Sequence, residues 1–252
     1  MTNELSPLVQ MQYLRPRQLE KAGREFPVVY VPFGLIEWHG QHGPLGTDAL
    51  KAHGVLVKCA EQHGGVVYPP VYFPHATHNP GGGLIDEDRG WKLEMVTDLF
   101  HRLKATGFRV IIAVSGHNIQ TQIDLFEEAL KPVVADGTMA GIGLWEMTLS
   151  RCDESSSDHA AKWETSNMMF FYPDTVDLSE LGEGQLQPDM KPPDGIGGLD
   201  PREHASVEVG RRNVELCADA IGKKARELLE SLPEDQREFN MEQIVPPQWW
   251  LV

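Results

Sequence analysis

The stretch FRVIIAVSGHNIQTQIDLFEEALKPVVADGTMAGIGLWEM, residues 108–147, predicts a strand, a helix and a second strand. Its first part, 108–117, is an apolar run that ends in a turn of small residues. The part 118–137 has helical periodicity as far as Pro132 or just beyond, and 140–147 is apolar again. A strand–helix–strand unit of this kind predicts two parallel strands joined by a crossover helix.

The same alternation extends along the rest of the chain. The other predicted elements are strand 26–34, helix 48–64, strand 65–73, helix 87–107 and a long helix over 204–232. In helix 87–107 one face is predicted to carry Trp91, Met95, Val96, Leu99 and Leu103. We therefore predict an α/β fold with a mostly parallel sheet between helices.

The chain shows no break that would separate two domains. Residues 174–206 are rich in Gly, Pro and Asp and predict a long ordered loop, while the tail 233–252 is too short for a core of its own. We expect a single domain over 1–252, in which Trp249 and Trp250 cover another surface, such as a neighbouring subunit.

Composition limits the class of partner. The formal net charge of −15 argues against nucleic acid or an anionic membrane. The N-terminus has no apolar core of a signal peptide, and no apolar run approaches the roughly 20 residues that a membrane helix needs. Cys59, Cys152 and Cys217 lie far apart without a CxxC pair, which favours reduced thiols and a cytoplasmic location.

Polar residues cluster where the predicted strands end. Glu37 and His39 follow strand 26–34, and Asp48 follows after a glycine-containing turn. His117 ends the next strand. In parallel α/β sheets ligands bind beyond the carboxyl ends of the strands, so we expect these side chains to share a site. Glu164 is placed on a probable helix.

Three carboxylates and two imidazoles cannot crowd together without cations between them. The set Glu37, His39, Asp48, His117 and Glu164 offers only nitrogen and oxygen ligands, which suit Zn²⁺ or Mn²⁺, with iron as an alternative. Five ligands also suit two ions if one carboxylate bridges them. Open positions for water and substrate would then make a two-metal hydrolase. Taken singly, each of these residues is more often a solvated or hydrogen-bonded side chain.

At these residues the chain resembles the creatininase (creatinine amidohydrolase) family. FGLIEWHGQHGPLGTD (33–48) resembles its E-x-H pair followed by H-x-P-L-G-T-D, and DHAAKWETS (158–166) resembles its H-A-x-x-x-E-T-S block. SGHNIQ (115–120) and GIGGLDPREHASVEVGRR (195–212) match two weaker blocks in the expected order. The similarity covers about residues 13–230.

This resemblance implies an α/β/α sandwich, two divalent ions per chain, a small-molecule substrate with a cyclic amide or related bond, and a homohexamer. It supports the five ligands, with Asp48 as the bridging carboxylate, and it makes His159 the proton donor to the leaving group. His78, Gly82 and Trp145 are candidate substrate-binding residues.

Two departures from the family pattern bear on the substrate. Creatininases carry a Glu two positions after the histidine that corresponds to His117 in SGHNIQ. This chain has Ile119 there, which cannot bind a metal. The F-P-G-T segment of the family is replaced by Asn79-Pro80-Gly81-Gly82. Creatinine is therefore not expected as the substrate. Deformylation of a formamide, peptide trimming, ring opening of a cyclic diketone and loss of catalysis remain alternatives.

Overall fold

The computed structural model describes residues 2–72, 89–150, 158–191 and 193–240. Its centre is a parallel sheet with the strand order β2-β1-β4-β5, in which β3 also pairs with β1. The strands are β1 (Val28–Gly34), β2 (Val66–Val67), β3 (Val71–Tyr72), β4 (Val110–Ser115) and β5 (Ala140–Trp145). All of the pairings between them are parallel, as the strand–helix alternation predicts.

The single strand predicted over 65–73 is divided into two short strands, β2 and β3. Residues 68–70, a tyrosine followed by two prolines, separate them. Proline has no N–H to donate to a ladder, so the pairing with β1 stops and then resumes after the prolines.

The helices agree with the predicted order, and one further helix precedes β1. They are α1 (Pro16–Glu25), α2 (Thr47–His63), α3 (Arg89–Thr106), α4 (Gln120–Val134), α5 (Lys162–Phe171), α6 (Pro201–His204) and α7 (Val207–Ser231). The predicted helix 204–232 is thus interrupted. Ser206 caps α7 by accepting a hydrogen bond from the N–H of Val209 at 3.2 Å, which starts a new helix there.

Two apolar clusters cover the two faces of the sheet. Val28 and Tyr30 of β1 face α2, α5 and α7, whereas Val29, Val31 and Phe33 of the same strand face α3 and α4. Because successive side chains of a strand alternate, each buried strand contributes to both clusters. The result is the three-layer α/β/α sandwich.

On α3 the predicted apolar face is only partly correct. Val96 and Leu103 are buried with Phe100, and this stripe packs against the sheet. Trp91 and Met95 expose 48% and 39% of their surfaces, so they lie outside the buried stripe. Cys59 and Cys217 are buried cysteines, and Cys217 Sγ lies 3.2 Å from Ser150 Oγ.

Several predicted features lie outside the described residues: His78, Gly82, Cys152 and the two tail tryptophans, Trp249 and Trp250. The loop predicted over 174–206 includes short 3₁₀ turns at Pro173–Thr175 and Leu178–Leu181 before α6 begins. Among the described residues, no helix is both long and apolar enough to cross a membrane.

Candidate metal centre

Two neighbouring strands deliver the first three side chains of the site. Glu37 and His39 lie on the loop after β1, and His117 follows β4. Phe33 pairs with Ser115 in the β1–β4 ladder, so both strands end at the same edge of the sheet. The N–H of Glu37 donates to the carbonyl of Leu45 at 2.9 Å, which closes the loop on itself.

Asp48 reaches this edge because two glycines leave room for it. It is the second residue of α2 and is 1% exposed. A β-carbon at Gly34 or at Gly116 would overlap the Asp48 backbone. Gly116 lies at the bend after β4 and does not have a positive φ, and it also allows the close approach of the Asp48 backbone. The helix N-terminus also favours a carboxylate at this position.

Glu164 lies in the first turn of α5, and the segment before that helix holds it in place. Asp158 accepts hydrogen bonds from the N–H groups of Trp163 and Glu164 at 2.6 and 3.1 Å. Ala160 has a φ of 52°, which is unusual for a residue with a β-carbon. This conformation accompanies a 2.8 Å hydrogen bond from the Ala160 N–H to Glu164 Oε2.

A first group of candidate ligand atoms belongs to three buried residues. His39 Nε2 lies 3.2 Å from Asp48 Oδ1 and 3.2 Å from Glu164 Oε2. These residues form one of the three groups whose donor atoms could hold a metal ion. Their geometry offers one nitrogen and two oxygens to a common point.

A second group shares Asp48 with the first. His117 Nδ1 lies 3.0 Å from Glu37 Oε1 and 3.3 Å from Asp48 Oδ2. The two Asp48 oxygens therefore face different groups. Leu35 N–H also donates to Oδ2 at 3.2 Å, which fixes the carboxylate orientation.

The contact of His39 with the Glu37 backbone orients its ring as that of a candidate ligand. Its Nδ1 lies 3.3 Å from the Glu37 carbonyl, which can only accept, so Nδ1 carries a proton and Nε2 is the nitrogen that would bind a metal in place of its own proton. His39 Nε2 and Asp48 Oδ1 are buried and have no hydrogen-bond partner. Unsatisfied buried atoms of a nitrogen and oxygen donor set fit a divalent cation.

The pKa values of the clustered histidines and carboxylates are shifted by one another's charges. Burial lowers the pKa of His117, but the carboxylates of Asp48 and Glu37 outweigh it and raise the pKa to about 10. Burial also opposes the charge on His39, whose pKa is nevertheless raised by Glu164 and Asp48. For Glu164, burial is outweighed by Lys51 and His39, which hold its pKa below the usual value. The imidazoles thus partly neutralise the carboxylates here.

His159 stands at the edge of the same cluster. Its Nε2 lies 3.0 Å from the Trp38 carbonyl and must therefore carry a proton, so Nδ1 faces the site. Nδ1 lies 3.8 Å from Glu37 Oε1, and the His159 ring lies 4.5 Å from the ring of His39. His159 also forms a third candidate ligand group with Glu37 and His39. A backbone bridge to Gly197 fixes its position.

The structure does not bring every candidate into this cluster. Trp145 ends β5, is half-buried, and donates from Nε1 to the Ile119 carbonyl at 3.3 Å. His42, in the same sequence stretch as the candidate ligands Glu37, His39 and Asp48, is buried and its Nε2 contacts Thr165 Oγ1 at 2.9 Å. Burial, together with the charge of His39, lowers the pKa of His42 to about 4. It belongs to none of the candidate metal groups found among the described residues.

Two buried charged residues behind Glu164 are absent from the sequence-based set. Lys51 contacts Glu164 Oε1, and its Nζ lies 2.8 Å from Glu146 Oε1. Lys51 follows Asp48 by three residues, which places both on one side of α2. Glu146 directly follows β5, so the strand-end signal that identified Glu37 and His117 also applies to it.

Comparison with known proteins gives the same family as the sequence blocks. The family model for creatininase (creatinine amidohydrolase) matches residues 12–224. A creatinine amidohydrolase from Pseudomonas putida is 24% identical over 79% of this chain and 89% of its own length. A mycofactocin precursor peptide peptidase from Mycobacterium ulcerans is 27% identical over 80% of this chain and 86% of its own length.

Solved structures support the fold. A crystal structure of creatinine amidohydrolase aligns with a TM-score of 0.72 and 20% identity, over 87% of this chain and 98% of that chain. A manganese creatininase aligns with a TM-score of 0.69 and 22% identity, over 87% and 98% of the two chains. A Zn–Zn form of a creatininase variant aligns with a TM-score of 0.67 and 22% identity, over 87% of this chain and 97% of that chain. The chain therefore belongs to the creatininase family of hydrolases.

Proposed function

We propose that this protein is a dinuclear metal-dependent amidohydrolase that cleaves a cyclic amide or another small C–N bond, with a substrate other than creatinine. The observation that carries the proposal is that the two carboxylate oxygens of Asp48 face different ligand groups. Its Oδ1 faces His39 and its Oδ2 faces His117, so one carboxylate belongs to two ligand groups. We assign Glu37, His39, Asp48, His117 and Glu164 as the ligands of two divalent ions.

The ligand chemistry favours zinc or manganese, with iron as the alternative. The manganese and zinc forms of structurally similar creatininases support this choice. When bound, such ions lower the pKa of water and polarise a substrate carbonyl. The residues supply the remaining geometry, because the Glu37 carbonyl fixes the His39 tautomer and the Ala160 N–H orients Glu164.

We assign His159 as the group that protonates the departing nitrogen. The Trp38 carbonyl holds the Nε2 proton, so a transferable proton would be carried on Nδ1, the atom that faces the ligands. Imidazole is a common general acid and base near neutral pH. In this role His159 needs no contact with a metal.

An open-chain amide, such as a peptide bond, is the second candidate substrate. The mycobacterial relative is a peptide peptidase. Ile119, two residues beyond His117, exposes 43% of its surface, and Trp145 adjoins it through the 3.3 Å hydrogen bond. An apolar group of a substrate could contact both residues. We therefore keep Trp145 as a candidate substrate-binding residue, while His78 and Gly82 lie outside the described residues.

The test is a hydrolysis screen of the protein loaded with Zn²⁺ or Mn²⁺. The panel contains lactams, short peptides, formamides and cyclic diketones, each with wild-type protein and the Asp48→Asn variant. Hydrolysis of a C–N bond that disappears after chelation and in the variant supports the proposal. Cleavage of only the diketones would replace it with C–C ring opening. A metal-loaded protein that is inactive on every class would favour a relative that has lost catalysis.

We also infer a homo-oligomer, with a hexamer as the expected state from the family resemblance. Trp91 and Met95 leave apolar surface exposed on α3, which favours a subunit contact there. Light scattering coupled to gel filtration should give a mass six times that of one chain, which is 28.2 kDa. A single-chain mass would reject the oligomer.

A further inference from the structure

A buried lysine lies directly behind the proposed metal centre. Lys51 is 0% exposed, and its Nζ joins two buried carboxylates by contacting Glu164 Oε1 and lying 2.8 Å from Glu146 Oε1. The ammonium therefore stays charged in the interior.

Because of this contact, the two carboxylate oxygens of Glu164 have different partners. Oε1 is occupied by Lys51, while Oε2 accepts the Ala160 N–H at 2.8 Å and lies 3.2 Å from His39 Nε2. Only Oε2 faces the group formed with His39 and Asp48. A carboxylate held in this way can offer one oxygen to an ion and not two.

Glu146 connects Lys51 to the sheet. It directly follows β5, and its N–H donates to the carbonyl of Ser115 at the end of β4, at 3.3 Å. Its side chain is 1% exposed. A charge on this rigid edge can fix the end of the long lysine side chain, which otherwise has several rotatable bonds.

We propose that Lys51, anchored by Glu146, is a positioning residue that makes Glu164 a one-oxygen ligand of the ion shared with His39 and Asp48. The inference rests on the proposed metal-dependent function. Lys51 has no contact with substrate in this role and acts only through Glu164. Partners of metal ligands typically change metal affinity by about 10–100-fold when they are removed.

Two simpler roles of Lys51 give different results. If the lysine only stabilises the fold, its loss lowers the thermal midpoint but leaves the metal affinity of folded protein unchanged. If it acts only as a nearby positive charge, its loss strengthens cation binding because a repulsion disappears. Positioning alone predicts weaker binding of one ion.

The experiment is a Zn²⁺ titration of the metal-free full-length protein in competition with a chromophoric chelator. Wild-type protein and Lys51→Met are compared, and the thermal midpoint of each preparation is measured. We expect Lys51→Met to bind one of the two ions about 10–100-fold more weakly. The ion held by Glu37, Asp48 and His117 should keep its wild-type affinity.

Lys58 provides a matched control on the same helix. It is 1% exposed, contacts the Glu4 carbonyl and lies 2.8 Å from Glu61 Oε2, two turns beyond Lys51. Lys58→Met should lower the thermal midpoint without changing Zn²⁺ binding. A loss of Zn²⁺ affinity in Lys58→Met as large as in Lys51→Met would mean that the loss is not specific to Lys51 and would overturn the proposal.

A double variant provides a second test in case Lys51→Met does not fold. Lys51→Met with Glu146→Leu removes both partners, and a buried ion pair can often be replaced by apolar residues without loss of stability. We expect this variant to show the same weakening of one ion. Folded variants with unchanged or tighter binding of both ions would overturn the proposal. Wild-type protein that binds no Zn²⁺ would instead reject the proposed function and the inference with it.

Discussion

Gly116 lies so close to Asp48 that a β-carbon at position 116 would overlap the Asp48 carbonyl oxygen. The contact joins the end of β4 to the first turn of α2, and it sets how deeply Asp48 enters the site. Because the overlap is with backbone and not with a side-chain end, neither element can relieve it alone.

Gly116→Ala should therefore destabilise the protein by about 1–3 kcal/mol or more and reduce its metal content. Thermal unfolding and elemental analysis of one preparation measure both effects. Gly46→Ala is the control, since the three atoms nearest its β-carbon would all be side-chain atoms of Tyr72 and Leu50, with Tyr72 Cε1 nearest at 3.2 Å. Wild-type stability in Gly116→Ala would show that the close packing is not required.

The shared position of Asp48 predicts an unequal loss of metal among ligand variants. Asp48→Ala should lose both ions, whereas His39→Ala and His117→Ala should each lose mainly one, because each histidine belongs to a different group around Asp48. Elemental analysis after gel filtration without chelator gives the ratios. Equal metal content in Asp48→Ala and the histidine variants would show that Asp48 does not bridge.

His159→Ala separates proton donation from metal binding. As a proton donor, His159 can be removed with metal content and thermal midpoint unchanged, while turnover falls by about 10²–10⁴-fold. Substrates with better leaving groups should lose less, because they need less protonation. The exposed histidine His204 offers a control, and His204→Ala should keep the wild-type rate.

The third ligand group gives this test a second outcome. If His159 binds an ion with Glu37 and His39, His159→Ala loses metal together with activity. Full metal and an unchanged rate would instead leave His159 with neither role. Metal content, thermal midpoint and rate measured on one preparation distinguish these results.

His53 predicts how stability depends on pH. It lies on α2, is 6% exposed, and burial lowers its pKa to about 4. Between pH 4 and its ordinary value of about 6.5, the unfolded chain binds a proton that the folded chain does not. The contribution of His53 to the free energy of unfolding is therefore fully present above pH 6.5. It is lost as the pH falls towards 4, and the free energy of unfolding changes by up to about 1.4 kcal/mol per pH unit in this window.

Chemical denaturation at several pH values measures this slope. His53→Gln removes the titrating group, so its free energy of unfolding should depend less steeply on pH in that window. The same slope in the variant and the wild-type protein would assign the pH dependence to other groups.

The fold was largely predictable because its strands are continuous apolar runs. β1 and β4 are buried along their whole length, and buried parallel strands need no polar alternation. α1 was not predicted, because its sequence is mostly polar and Gly23 is its one buried residue. Its polar and apolar residues are clearly segregated, but few of them are apolar, so the helix lacks the broad apolar face by which the other helices were recognised.

The proposed metal ligands Glu37, His39 and His117 were predictable as a group from their positions after strands, but the residues that support them were not. A lysine in a helix usually lies at the surface, so the sequence gives no sign that Lys51 is fully buried. Its burial depends on carboxylates from β5 and α5, which only the tertiary structure brings together. Gly34 and Gly116 likewise leave room for the backbone at the start of α2, and only the tertiary structure shows that α2 begins there.

The central claim is that two ions share the Asp48 carboxylate. Electron paramagnetic resonance of the metal-free protein loaded with Mn²⁺ tests it most directly, because two Mn²⁺ ions joined by one carboxylate couple magnetically. We predict the spectrum of a coupled pair at two Mn²⁺ per chain, and its disappearance in Asp48→Ala. A spectrum of isolated Mn²⁺ ions at full loading, identical in the wild-type protein and the variant, would contradict the shared site.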